Sequence, residues 1–335
     1  MIASSYGDMS RHLSLGRHSA RLKADMTGLS KELTTGVMDD KARHLKGNLT
    51  FLASLEKNIE LAETRKSIAQ NAGNLLAAQQ NALAGISARS EGVYLELVQL
   101  PPGEHYAQID RQINSLESAF VDTVHFLNTS FAGRSLFAGT AGDSPALAPA
   151  RDILDALSRD LPAGLDAAGM SDAIDAWFAA GGGFDSVGYL GGNTIPAAYN
   201  VGDGLDISLE ITAQAPAIRQ TLAGLAKGAM LASGVIGASP AEKLDVLRAA
   251  ASTLAVSNTG LIDLSARVGV QEERAARGVS AAEAEQTAMS IARSELVSAD
   301  PYETATRLEQ AMAQLELIYS LTARLSRLTL ADYLR

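Results

Sequence analysis

The sequence predicts a mainly α protein, a long antiparallel helical rod built from both chain ends with a small α+β domain inserted between them. Three observations carry this expectation. Hydrophobic residues make up 47% of the chain but aromatic residues only 5%, and the apolar content comes largely from Ala and Leu, both strong helix formers. Apolar residues recur in alternating steps of three and four along both ends, the spacing of one helical face. The rhythm fails between residues 141 and 238, where Gly181-Gly182-Gly183 and Gly191-Gly192 interrupt it.

At 335 residues the chain can hold two or three domains and bury a real core. The pattern divides it into an N-terminal helical segment (1–40), the first part of the rod (41–140), the insert (141–238), the second part of the rod (239–299) and a C-terminal helical segment (300–335). In the first segment Leu15, Leu22, Met26, Leu29 and Leu33 form the apolar stripe. Leu45, Leu49, Leu52 and Ile59, followed by Leu76, Leu83, Ile86, Ser90, Val93, Leu97 and Leu100, predict one helix from about residue 44 to residue 100. Pro101-Pro102-Gly103 stops it and reverses the chain into an antiparallel helix carrying Tyr106, Ile109, Ile113, Leu116, Phe120, Thr123 and Leu127.

That helix ends at "NTSFAGRSLFAGT", Asn128 to Thr140, where Phe131 and Phe137, and Gly133 and Gly139, repeat at a spacing of six. In the insert, which holds Trp177, "LDISLEIT" (Leu205 to Thr212) alternates like a strand, and "AIRQTLAGLAKGAML" (Ala217 to Leu231) reads as a helix. A third long helix follows on Leu244, Leu247, Ala251, Leu254, Asn258, Leu261, Ser265 and Val268, continued by Ala275, Val279, Ala282, Met289 and Leu296. Ser239-Pro240-Ala241-Glu242 starts it with a cap hydroxyl, a proline at the first helical position and a Glu three residues after the cap. Asp300-Pro301-Tyr302-Glu303 repeats the device. The last helix is therefore separate, with Leu308, Met312, Leu315, Ile318, Thr322, Leu325 and Leu328 on its apolar face.

A formal net charge of -10 argues against a nucleic-acid or anionic-membrane partner, since phosphate contacts need clustered Lys and Arg. Without cysteine there is no disulfide, thiolate metal site or cysteine nucleophile. The N-terminal "MIASSYGDMSRHLSLGRHSARLK" is polar where a secretory signal needs an apolar run, and the least polar stretch, Gly228 to Ala238, is too short for a membrane span.

Candidate chemistry is sparse. His12, His18, His44, His105 and His125 lack the spacing of a metal helix. Asp39-Asp40 and Glu283 with Glu285 read as solvated charge. "NVGDGLDIS" (Asn200 to Ser208) lacks the spaced acids of a calcium loop, and neither a GxSxG elbow nor a phosphate loop is present. The chain is expected not to be an enzyme and to carry no cofactor or metal. A coiled-coil adaptor or an enzyme housed in the insert are the readings from other classes. The terminal stripes, at opposite ends of the sequence, are the candidate assembly surface and are expected to lack a partner before assembly.

"LSKELTTGVMDD" (Leu29 to Asp40), the 128–140 cassette and "TRLEQAMAQLELIYSLTARLSRLTLADYL" (Thr306 to Leu334), in this order, resemble the bacterial flagellin superfamily over roughly residues 1–140 and 240–335. The ending "LTLADYLR" is more similar to the hook-filament junction branch than to flagellin itself. The family's proline near the double Asp is absent, with Met38 before it and "KARHLKG" after it. The resemblance implies an axial protein exported through the flagellar type III apparatus without a cleaved signal and placed outside the cell. It implies a ring of self-associated subunits, with the other junction protein, flagellin and an export chaperone as partners. It also makes Asn128, Phe131, Gly133, Phe137 and Gly139 a fold corner, glycines supplying positive φ and phenylalanines packing the turn against the rod.

Overall fold

A computed structural model describes residues 2–100, 106–162, 164–202, 204–234 and 239–333. In chain order its elements are α1 (Ile2–Thr35), α2 (Lys41–His44), α3 (Thr50–Val98), α4 (Tyr106–Leu127), β1 (Ser130–Phe131) and β2 (Arg134–Ser135). Then come α5 (Ala150–Asp160), α6 (Ala167–Phe178), a π turn (Phe184–Gly188), β3 (Tyr199–Asn200), β4 (Asp206–Ile207), α7 (Pro216–Ala232), α8 (Pro240–Val297) and α9 (Pro301–Tyr333). The protein is mainly α, with long helices packed on one another and two short antiparallel strand pairs, β1 with β2 and β3 with β4. By compactness it forms two units, residues 1–63 with 283–335, and residues 64–282.

In the second unit the long helices run antiparallel because their contacts pair rising numbers with falling ones. Between α3 and α4, Gly85 faces the Phe126 ring, Arg89 Nε donates to Asp122 at 2.9 Å, and Ser115 Oγ donates to Glu96 at 3.1 Å. Between α3 and α8, Ser90 donates to Asn258 Oδ1 at 2.7 Å, and Gly73 faces Ala275. Ser90 and Asn258 are polar members of two largely apolar stripes, and they satisfy each other. Helix α7 is buried along nearly its whole length between α4 and α8. Gly228 there admits Leu116, and Gly224 admits Leu254, at distances a Cβ would not allow. Even Lys227, 1% exposed, is paired, donating to Asp175 Oδ2 at 2.8 Å and Thr253 Oγ1 at 2.7 Å.

Two expectations are corrected. The helix expected from about residue 44 begins at Thr50, because Lys46 (φ 51°) and Gly47 (φ 82°) turn left-handed after α2. Leu49 is consequently exposed. In "LDISLEIT" the alternation holds, with Ile207, Leu209 and Ile211 all buried, but only Asp206–Ile207 belongs to a strand. The remaining backbone is satisfied elsewhere: Ser208 N donates to Gln271 Oε1, and the Ile211 carbonyl accepts from Gln79. A period of two records which side is buried, not what the backbone pairs with. Pro101-Pro102-Gly103 and His105 lie outside the described residues.

The caps form as the residues specify, with one difference. Ser239 N donates to Glu242 Oε2 at 2.7 Å and Glu242 N to Ser239 Oγ at 3.4 Å, a reciprocal capping box. Asp300 Oδ1 accepts from Tyr302 N and Glu303 N, but the Glu303 side chain pairs with Arg307 rather than reaching back. Ser239→Ala is expected to cost about 1 kcal/mol. Hydrogen exchange should show the loss confined to the first turn of α8.

Candidate functional site

The corner is built by Asn128, which follows α4 and grips one residue of the returning chain with both ends of its amide. Its Oδ1 accepts from Leu147 N at 2.8 Å, and its Nδ2 donates to Leu147 O at 3.0 Å. Between β1 and β2, Ala132 (φ 50°) and Gly133 (φ 79°) both turn left-handed, as the tightest hairpin connections require. Gly139 serves another need. At φ 59°, a Cβ there would stand 2.7 Å from Gly192 O and 2.9 Å from Thr194 O, so the loop closing over it tolerates only glycine. Gly192 N donates to Ala138 O, and Thr140 N to Thr194 O.

The two phenylalanines separate. Phe137 is completely buried in the main core, whereas Phe131 is 39% exposed. Packing of both against the helices was expected. The two-residue strand β1 leaves both of its side chains exposed, so Phe131 does not join the core.

Behind the corner, Arg219 on α7 latches the insert. Its guanidinium donates to the Phe178 and Ala179 carbonyls ending α6, to Gln214 O and to Asp185 Oδ1, and lies over the Phe184 ring. Burial by itself pushes the Asp185 carboxyl up. The hydrogen bond from Arg219, the Gly181 amide, the Arg219 charge and Gln214 together outweigh it and hold the group below the usual carboxylate range. A depressed folded pKa adds stability above the unfolded value of about 3.9, and that stability is lost as pH falls through the lower folded value. Asp185→Asn should therefore lower urea resistance at neutral pH, and the gap from the unmodified protein should close in acid. A gap independent of pH would show that the charge is immaterial.

A groove of about 610 Å³ opens beside this latch, lined among others by Asp175, Phe178, Pro216, Arg219 and Val256. Its charged members are spent on structure, Asp175 on Lys227 and Arg219 on Asp185.

In the unit holding both chain ends, α1 packs antiparallel on α9. The pair is pinned where the helices meet: Val37 bridges Ser298, flanked by Met38 N donating to Val297 O and Ala299 N to Gly36 O, both at 2.9 Å. Glu32 accepts from Asp39 N, Asp39 pairs with Lys31 at 2.7 Å, and Asp40 Oδ1 caps α2 by accepting from Arg43 N. Asp39 and Asp40 are both exposed, as solvated charge would be, while Glu32 holds the Asp39 amide and the Asp40 carboxylate caps α2. The Asp39 carboxylate raises the Lys31 pKa. Across the helix pair, Lys23 lies over the Tyr319 ring at 5.6 Å.

Of the stripe on α1, Leu22 is buried, Leu15, Met26 and Leu29 are half-buried, and Leu33 is 43% exposed. On α9, Thr304 and Ala311 are buried, with Leu308, Leu315, Ile318 and Thr322 half-buried on the same face. Met312, assigned to that face from the sequence, is exposed at its edge. The side chains of Leu325 and Leu328 lie outside the described residues. In this structure α1 and α9 cover these stripes against each other within one chain.

What remains uncovered is the other side of α9, where Leu317 is 68% and Leu321 is 49% exposed, one turn apart and opposite the covered face. Sequence reasoning missed this second stripe. The signal was present in "LELIYSL", whose apolar residues exceed what one face of a helix can hold. Among the described residues no helix is long and apolar enough to cross a membrane.

Residues 254–334 match the family described as the bacterial flagellin C-terminal helical region. A solved structure named as a flagellar hook-associated protein from Vibrio parahaemolyticus matches with a TM-score of 0.50 and 15% sequence identity. The match covers 74% of this chain and 96% of that one, and is a likeness of fold. No curated protein matches the chain. Residues 254–334 are thus similar to the C-terminal helical region of flagellin, and the chain as a whole shares its fold with the solved structure.

Proposed function

We propose that this chain is an axial structural protein of the bacterial flagellum that forms the junction between hook and filament, of the hook-associated protein three type. The observation that carries the reading is a flagellin-like C-terminal helix that covers one apolar face with the chain's own α1 and leaves Leu317 and Leu321 on the opposite face. Exposed apolar residues in register on a helix suit burial against another subunit. The fold likeness to a protein named as hook-associated, and the ending "LTLADYLR", favour the junction over the filament.

On this reading subunits associate in a ring outside the cell, touching the other junction protein on one side and flagellin on the other. The chain reaches that place through the flagellar export apparatus, escorted by a chaperone on the C-terminal helix. Its role is mechanical, without catalysis.

The second reading is flagellin itself, which the C-terminal family match equally supports. Immunogold labelling of intact cells separates them. Label confined to the hook tip supports the junction, label along the filament supports flagellin, and label only in the cytosol overturns both in favour of an adaptor.

A further inference from the structure

The α1–α9 pair sorts its exposed charges between two flanks. Lys23 on α1 lies over the Tyr319 ring on α9, which marks the first flank. At about 100° per residue, Glu309, Met312 and Glu316 fall on the Tyr319 side of the covered face of α9, and all of them are exposed. Leu321 lies on the other side of that face, with Leu317 next to it. On α1, Arg21 stands about 200° round the helix from Lys23, on the same second flank as Leu321, and Arg17 precedes it by one turn. Lys23 among the acids and Asp25 among the arginines are the nearby charges of opposite sign, and each is outnumbered. Among the described residues no ion pair within the chain uses Arg17, Arg21, Glu309 or Glu316.

Like flanks repel and unlike flanks attract, so this sorting disfavours a two-fold contact and favours a head-to-tail one. The register agrees. Because the helices are antiparallel and Lys23 meets Tyr319, Arg21 lies level with Leu321, and Glu316 lies about 8 Å further along the axis at 1.5 Å per residue. Leu317 and Met312 have the same separation along α9. One shift therefore brings Arg21 to Glu316 and Leu317 to Met312 of a neighbouring copy together.

We propose that the two flanks are the two halves of one heterologous interface between copies of this chain. The flank with Arg17, Arg21, Leu317 and Leu321 on one copy seats on the flank with Glu309, Met312, Glu316 and Tyr319 on the next, Arg21 opposite Glu316. This rests on the self-association proposed above and names the surfaces that carry it. The leucines meet a flexible thioether and an aromatic ring, which fill an apolar contact well, and the charges fix its direction. A contact that repeats in one direction closes a ring or continues a helix.

The chain has no cysteine, so Met312→Cys with Leu317→Cys in the full chain reports this contact alone. Intact cells carrying the double variant are oxidised with copper phenanthroline, and the chain is detected by immunoblot. The expected result is a ladder of disulfide-linked multimers, with monomer from either single variant. Adding Arg21→Glu should abolish the ladder, and adding Glu316→Arg as well should restore it, with circular dichroism of the purified chains unchanged throughout. Monomer alone from the double variant, dimers from a single variant, or a ladder indifferent to the charge reversals overturns the proposal. Immunogold labelling keeps it apart from the junction reading. Monomer with label at the hook tip removes the interface alone, a ladder with label along the filament removes the junction alone, and monomer with cytosolic label removes both.

Discussion

Phe137→Ala is expected to destabilise the second unit by about 3–5 kcal/mol, while Phe131→Ala costs less than about 1 kcal/mol. The two residues occupy matching places in a repeat of six and differ only in what surrounds them. Phe137 is fully buried in the main core, and its carbonyl accepts from Ala213 N, so truncation leaves a void where α4 hands the chain to the insert. Phe131 sits exposed on a two-residue strand and leaves no void. Urea denaturation of both variants at equal ionic strength checks the contrast. Equal losses would mean that the ring of Phe131 is packed in solution.

The second large effect falls on assembly. The double substitution Leu317→Asp with Leu321→Asp is expected to leave monomer unfolding within about 1 kcal/mol of the original, about 0.5 kcal/mol for each exposed position, while abolishing stable filament attachment. Each leucine forfeits roughly 1.5–3 kcal/mol of burial in the assembled state, and each new carboxylate is desolvated there at further cost. In a ring the loss recurs at every subunit. Leu22→Asp is the counterpart, because Leu22 is buried within the chain and its loss should loosen the α1–α9 pair before any assembly. Thermal unfolding of purified monomer and electron microscopy of cells carrying each variant give the two readouts. Filaments persisting on the double variant would remove the exposed stripe from the assembly surface.

These contrasts show where legibility ended. Long helices were readable because their faces repeat over many turns, and a period of three and four survives whatever they pack against. The starts of α8 and α9 were readable because a cap is a local interaction among four residues. The strand expected at "LDISLEIT" shrank to two residues because alternation encodes a buried side, while pairing depends on distant groups such as Gln79 and Gln271. The fate of Met312, and of Phe131 beside Phe137, depended on neighbours that a linear pattern does not name.

The sequence by itself determined a mainly α chain, the extent of α4, α7 and α8, the caps at Ser239 and Asp300, and the place of the corner. Each of these rests on residues within a few positions of one another. Only the tertiary structure decided that α1 and α9 cover each other within one chain and that Leu317 and Leu321 stay uncovered. The reason is physical: a helix with apolar residues on two sides has two faces to bury, and which one its own chain takes depends on an element some three hundred residues away.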